Sequence, residues 1–541
     1  MPYINTISRR SFFRHALMAG AGFGLASLLN VPPFARRALA EGNIGLNGKK
    51  LLFIFLRGAN DALNSVIPVG DTAYGAGIRP QIFIPTDPGT DYSATGACDF
   101  PVNTDPAAPT FSYANAIRLG NGFAAMHPSL KFMAPVYNAG DLAMIHRVGY
   151  PRQSRSHFDS QNYWENGAPN NNLTKDGIFY RTIIESGLAH TAPLTAVSIQ
   201  TGLPLLLRGS GAAMTNLTDP TRYDLLGVPN NATTGDLKAL NALTNAQSVP
   251  FPDKRSRELL QLQYQNMLNT LAIFASITFT EAGNTFKDDS PTDGDTDGYY
   301  LFPTTNAKNG GYALHANDPS KYVVDTGAYG FFRNLKAAAL VLNHTDAIIA
   351  GTEYGGWDTH NNQGGVTGAH SNLLRRISWA MYALKRYFIQ HGNKATWDNL
   401  VVVTLTEFGR TTVQNTSSGT DHAEAGIMWV AGGGVKGYGK AGATTGVIGC
   451  HPNDSIPWIT GPADQAGGVD GSMFGVSNRY LKRIVDYRSV LGRVIRDHLG
   501  ATQAQLDRII PGYANAGERL LAGGTSSIDN VPIIGEPDFL V

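Results

Sequence analysis

Cysteine is nearly absent. Two residues, Cys98 and Cys450, serve a chain of 541. That excludes a disulfide framework and a cysteine-built structural zinc site. Two readings stay open for the pair: one disulfide, or two buried free thiols. Charge is scarce as well, with 16% Asp, Glu, Lys and Arg and a net charge of +1. A nucleic-acid partner is therefore not expected, because the basic footprint it needs is missing. After the first forty residues no apolar run reaches the ~18 residues of a membrane span, so no span is expected in the mature chain. Internal repeats are absent too.

What is there is a globular composition, 43% apolar with 61 glycines, and loops crowded with Asn, Thr and Pro, a pattern that suits an exported protein. A chain this long needs one large domain with insertions, or two domains. The first forty residues read as an address. The stretch SRRSFFRHALMAGAGFGLASLLN places Arg9-Arg10 ahead of a modest, glycine-broken apolar segment, and ALA at 38–40 is a small-x-small cleavage signature. Residues 1–40 are thus expected to be a twin-arginine signal peptide, with the twin-arginine translocase as partner during export and a periplasmic or secreted destination. An uncleaved anchor helix is the alternative.

Four Val/Ile/Leu-rich runs read as buried strands: 50–56, 141–149, 346–354 and 399–406. They are nearly continuous rather than alternating, which is the mark of strands covered on both faces. Helical patterns at 254–276, 330–343 and 370–392 lie between them, and another at 486–500 closes the globular part near Gly500. Strand and helix alternate, so the expected class is α/β with a mostly parallel sheet flanked by helices, forming one domain over 41–541. Long loop insertions are expected near 72–125, 204–250 and 280–320. Within the last, Asp293, Asp295, Asp297 and Gly298 match the opening of a calcium loop, but Thr304 stands where the bidentate Glu belongs. A solvated acidic loop is the competing reading.

In an open parallel sheet, ligands gather outside the carboxyl ends of the strands. The residues after each run are therefore the place to look. The first is followed by Asn60 and Asp61, the second by Arg155, Ser156 and His157, the third by Asp358 and His360, and the fourth by Glu407 and Arg410, with Asp421-His422 ending the next loop. Each has a bland alternative. Asp61 and Ser156 could cap helices, His157 could be a packed histidine, and Glu407 could pair with Arg410, since a buried carboxylate needs a partner. Carboxylates and imidazoles without cysteine suit Zn²⁺, Mn²⁺, Mg²⁺ or Ca²⁺. One or two such divalent ions would clamp a phosphoryl or sulfuryl group, with arginines holding its oxygens.

The stretches FLRGANDALNSVIP, HPSL, SRSHFDSQNYWE, GGWDTHNNQ and TEFGRTTVQNTSSGTDHAEAG together resemble an exported bacterial family catalogued as domain of unknown function fifteen-oh-one, from about Lys50 to Gly500. That family resembles a branch of the alkaline phosphatase–sulfatase superfamily. The resemblance implies an alkaline-phosphatase-like fold and a metal-dependent hydrolase of phosphate or sulfate esters, acting on a small-molecule or polymer substrate. It assigns Asp61, Asp358, His360, Glu407 and His422 as metal ligands, and Ser156 as nucleophile, with Ser154 as rival. His157, Arg155 and Arg410 complete the catalytic set. Phe408 departs from the superfamily's pattern, because the second ligand pair is often Asp-His. This leaves a second reading, an exported binding or surface protein that keeps the fold without turnover.

Overall fold

The computed structural model describes residues 44–99, 115–189, 194–212, 214–220, 270–280, 285–288, 299–304, 324, 326–460 and 480–541. The expected signal peptide and the Asp293–Gly298 loop lie outside these residues, as does most of the 254–276 helix.

Nine strands form the main sheet: β1 (Lys50–Leu56), β2 (Leu142–Gly149), β3 (Ala196–Ile199), β4 (Thr215–Leu217), β5 (Ile349–Tyr354), β6 (Leu400–Leu405), β7 (Gly426–Ala431), β8 (Val447–Ile448) and β9 (Val485–Asp486). Their order is β8-β2-β7-β6-β1-β5-β3-β4, with β9 also pairing β2. β7 runs antiparallel to both of its neighbours, and every other pair in the sheet is parallel. All four apolar runs are strands of this sheet. Because they share one direction, their carboxyl ends open on one edge, which is what brings distant segments of the sequence together.

β1 is wholly buried, and its side chains alternate between two cores. Leu52, Ile54 and Leu56 join one core with residues of the helices α3 (Tyr329–His344) and α4 (Ala369–Gln390). Leu51, Phe53 and Phe55 join the other with α2 (Ile178–Glu185) and α5 (Tyr487–Arg493). Burial on both faces explains why the run reads as continuous apolar sequence rather than as an alternation. A further helix, α1 (His157–Asn166), starts at the Ser156 cap and ends on Gly167 in the left-handed region at φ 66°.

One expectation needs correction. The globular part does not close near Gly500: α6 (Gln503–Ile509) follows, and Leu506, Ile509, Phe539 and Leu540 enter the same core as β1's odd-numbered residues. Their apolar side chains are too sparse in sequence to announce that role. Of the two readings left open for Cys98 and Cys450, the structure has two buried thiols and not a disulfide. The 72–125 segment, expected as a loop insertion, sends Arg79 fully buried into the body of the molecule. Among the described residues no helix is long and apolar enough to cross a membrane.

Candidate metal centre

The edge begins at the end of β1. The chain leaves the strand through Gly58 at φ 115° and Ala59 at φ 71°. A side chain at Gly58 would put Cβ 2.4 Å from the Asp358 nitrogen, so glycine lets the β1 and β5 loops touch here. The Gly58 N–H donates to Glu407 Oε1 at 2.7 Å. Glu407 thus bridges from the end of β6 to the β1 loop.

Glu407 is fully buried. Its Oε1 also accepts from His157 Nδ1 at 2.8 Å and from Gln161 Nε2 at 3.1 Å. Its other oxygen, Oε2, has no hydrogen-bond partner among the described residues. The pairing of Glu407 with Arg410 considered above is not what forms. Arg410 instead gives its guanidinium to the carbonyls of Gly58, Ala59, Trp357 and Thr420 and to Asp358 Oδ1. The β1, β5 and β6 loops are tied together by that one side chain.

Asp358 is the hub. Its Oδ1 lies 3.0 Å from His360 Nε2 and 3.2 Å from His422 Nε2, and its Oδ2 lies 3.4 Å from His157 Nε2. The two nitrogens His360 Nε2 and His422 Nε2 are 2.9 Å apart. Coordinating atoms of His157, Asp358 and His422 all fall within 4.8 Å of one another, as a metal site requires. Burial works against the charge on Asp358, but the Arg410 hydrogen bond and charge outweigh it, and the pKa falls to about 2.

Each histidine is held from behind. Nδ1 of His157 faces the Glu407 carboxylate, Nδ1 of His360 faces Asp421 Oδ1 at 3.2 Å, and Nδ1 of His422 faces the Arg155 carbonyl at 2.8 Å. These three partners only accept, so each Nδ1 carries the proton and each neutral ring presents a lone pair at Nε2. The three lone pairs converge on a carboxylate. Such crowding of acceptors calls for a second proton on a ring or for a cation among them. Burial and the Arg410 charge lower the pKa of His422, which disfavours the proton. His157 goes the other way, raised chiefly by its hydrogen bond to Glu407.

The remaining expected residues have other surroundings. Asp61, fully buried, caps the helical turn Ala62–Ser65. Its two oxygens take Arg79 at 2.6 and 3.2 Å and Gln363 at 2.7 Å. Burial opposes its charge, yet the Arg79 charge prevails and lowers its pKa. Arg79 also donates to the carbonyls of Thr411 and Thr412, pinning the loop that carries Asp421 and His422. The Ser156 hydroxyl accepts from the Asp159 N–H at 3.4 Å, and Ser154 Oγ accepts from the Ser156 N–H at 3.2 Å. The Arg155 guanidinium lies 4.3 Å over the Tyr480 ring, so it is the carbonyl of this residue that reaches the cluster. Phe408 packs its buried ring beside His157 and His422, with centroids at 4.9 and 4.7 Å.

Sequence reading missed Gln161, Gln363 and Arg79. Gln161 had a signal, since it lies one helical turn after His157 and on the same face. Gln363 and Arg79 had none beyond polarity.

Residues 304–454 match a family described as "Protein of unknown function (DUF1501)". This is the family expected from the motifs, over a narrower span than Lys50 to Gly500. Asp358, His360, Glu407 and His422 lie inside the matched span, and Asp61 and His157 outside it. No curated protein and no solved structure matches the chain.

Proposed function

We propose that the cluster binds one divalent cation and that the protein is an exported, periplasmic or secreted, metal-dependent hydrolase of phosphate or sulfate esters on an alkaline-phosphatase-like scaffold. The observation that carries the reading is the convergence of three anchored imidazoles on Asp358. Separations of 2.9, 3.0, 3.2 and 3.4 Å between potential ligand atoms suit an ion held by bonds of about 2.0–2.2 Å. A donor set rich in imidazole favours Zn²⁺ over Mn²⁺, Mg²⁺ or Ca²⁺. The carboxylate and carbonyl behind each ring are the outer partners that metal-binding histidines keep.

In this reading His157, Asp358, His360 and His422 hold the ion. Glu407 and Asp421 fix the rings, Arg410 fixes Asp358, and Asp61 shapes the loop through Arg79. A bound cation supplies Lewis-acid polarisation of an ester oxygen. Ser156, next to His157 and at the start of α1, offers a hydroxyl whose attack the helix N-terminus favours electrostatically. A second reading, a binding protein with one structural metal, is favoured by one observation: Arg410 spends its guanidinium on carbonyls and Asp358, leaving none of it for ester oxygens.

The test is turnover of p-nitrophenyl phosphate and p-nitrophenyl sulfate by protein loaded with Zn²⁺ or Mn²⁺. The hydrolase reading expects turnover of at least one ester, abolished by Asp358→Asn. Full metal content with neither ester cleaved would establish the binding-protein reading instead.

A further inference from the structure

Two cavities, of about 490 and 540 Å³, lie along α1. Asn162, Leu205 and Arg208 line both, so the two form one trench. Asp159, Asn162 and Asn166 place one face of α1 along the second cavity. The inner end is Gln161, which accepts from Arg57 at 3.2 Å and donates to Glu407 at 3.1 Å. The trench therefore ends on Gln161, one hydrogen bond from the buried carboxylate that holds His157.

We propose that this trench binds a neutral, polyhydroxylated chain of the glycan type and, given the ester-hydrolase reading, presents an ester on that chain to the cluster. The lining decides the class. Four carboxylates, Asp159, Glu165, Asp176 and Glu353, face three cations, Arg57, Lys175 and Arg208, one fewer than the carboxylates. A polyanion finds no net attraction there. Arg57 is moreover spent on Glu165 and Glu353, at 2.6 and 3.0 Å. Apolar lining is confined to Leu203, Pro204 and Leu205, too little for a lipid or an aromatic ligand, which want mostly apolar walls.

What the trench has to spare is hydrogen bonding, from two amides and one guanidinium. Gln200 is 5% exposed and its Oε1 has no partner among the described residues, while its Nε2 donates to Glu353 at 3.2 Å. Among the described residues the exposed side chains of Asn162 and Arg208 make no hydrogen bond or ion pair. An amide gives and accepts at once, as a hydroxyl does, and a guanidinium spans two neighbouring oxygens. A chain of sugar rings supplies such hydroxyls at regular intervals.

The experiment uses the full-length mature protein and the double variant Asn162→Ala/Arg208→Ala, whose exposed side chains leave the fold intact, as a matching melting temperature will confirm. Both are titrated with neutral gluco-, xylo-, manno- and malto-configured hexasaccharides by saturation-transfer NMR and calorimetry, metal-loaded and chelator-stripped. At least one hexasaccharide should bind the wild type in both metal states, and the double variant should bind it about tenfold more weakly, as loss of one or two hydrogen bonds implies. Absence of binding by every hexasaccharide, equal binding by the double variant, or displacement of a bound hexasaccharide by dextran sulfate but not by neutral dextran would overturn the proposal. Saccharide binding without ester turnover would defeat only the hydrolase reading.

Discussion

Two carboxylates follow parallel strands at the same edge, and they have opposite characters. Asp61 after β1 is fully buried, takes both ends of the Arg79 guanidinium, and adds Gln363 and its own helical cap. Its side chain is 0% exposed, and that of Asp358 after β5 is 44% exposed. Asp358 shares one arginine with four carbonyls and faces three imidazoles. The first is a neutralised pin, and the second is an acceptor in excess of donors. Position at a sheet edge selects candidates for chemistry, and only the balance of donors and acceptors around each one separates a pin from a ligand.

The sharpest way to break that contrast is to remove Arg79. Arg79→Met strands the buried Asp61 charge and frees two loop carbonyls, so a loss of roughly 3–5 kcal/mol is expected in urea denaturation. Asp61→Asn combined with Arg79→Met should recover part of it, since the stranded charge is gone. If Arg79→Met instead left stability unchanged and cost only bound metal, Asp61 would be a ligand and the contrast would collapse.

A smaller effect is expected behind the histidines. Glu407→Gln keeps an oxygen for Gly58 and leaves the fold in place, but weakens the grip on His157. Metal affinity should fall about 10- to 100-fold, in line with other outer partners of metal-bound histidines, as read by competition with a chromogenic chelator. Arg410→Met should do the reverse in part, lowering the melting temperature through its lost carbonyl bonds while the three imidazoles still retain metal.

How far the sequence carried these conclusions differs by element. Strand positions and their common direction were legible, because two-sided burial writes continuous apolar runs such as LLFIFL into β1. β7 was not, because its antiparallel run IMWVA follows a loop with no turn signature that sets direction. Asp358, His360 and His422 were legible as a group through their order at strand ends. The hydrogen-bond partners of Asp61 and Glu407 were not, since they lie hundreds of residues away or in an unpatterned insertion: Arg79 for one, His157 and Gly58 for the other. A carboxylate carries no local mark of whether the cation it meets belongs to the chain.

The two regions should also titrate in opposite senses in chelator-stripped protein. Asp61 has a folded pKa below its ordinary 3.8. Its contribution is therefore present above that value and lost as pH falls through the lower folded one. His157 has a folded pKa above its ordinary 6.5, so the stability from its Glu407 contact is present below 6.5 and lost as pH rises through the raised value. Urea midpoints should fall on both sides. Asp61→Asn should flatten the acid limb alone and His157→Gln the alkaline limb alone. The least effect belongs to Arg155→Ala. Because His422 uses the backbone carbonyl, metal affinity should stay within about twofold and stability within about 0.5 kcal/mol.

The central claim is that Asp358 and its three histidines form a cation site and Asp61 does not. Metal analysis of the purified protein, followed by Zn²⁺ and Mn²⁺ titration calorimetry of the stripped form, tests it most directly. One tightly bound ion per chain is expected, lost in His422→Ala and Asp358→Asn and kept in Asp61→Asn. No bound ion in the wild type, or an ion lost in Asp61→Asn while retained in His422→Ala, would contradict it.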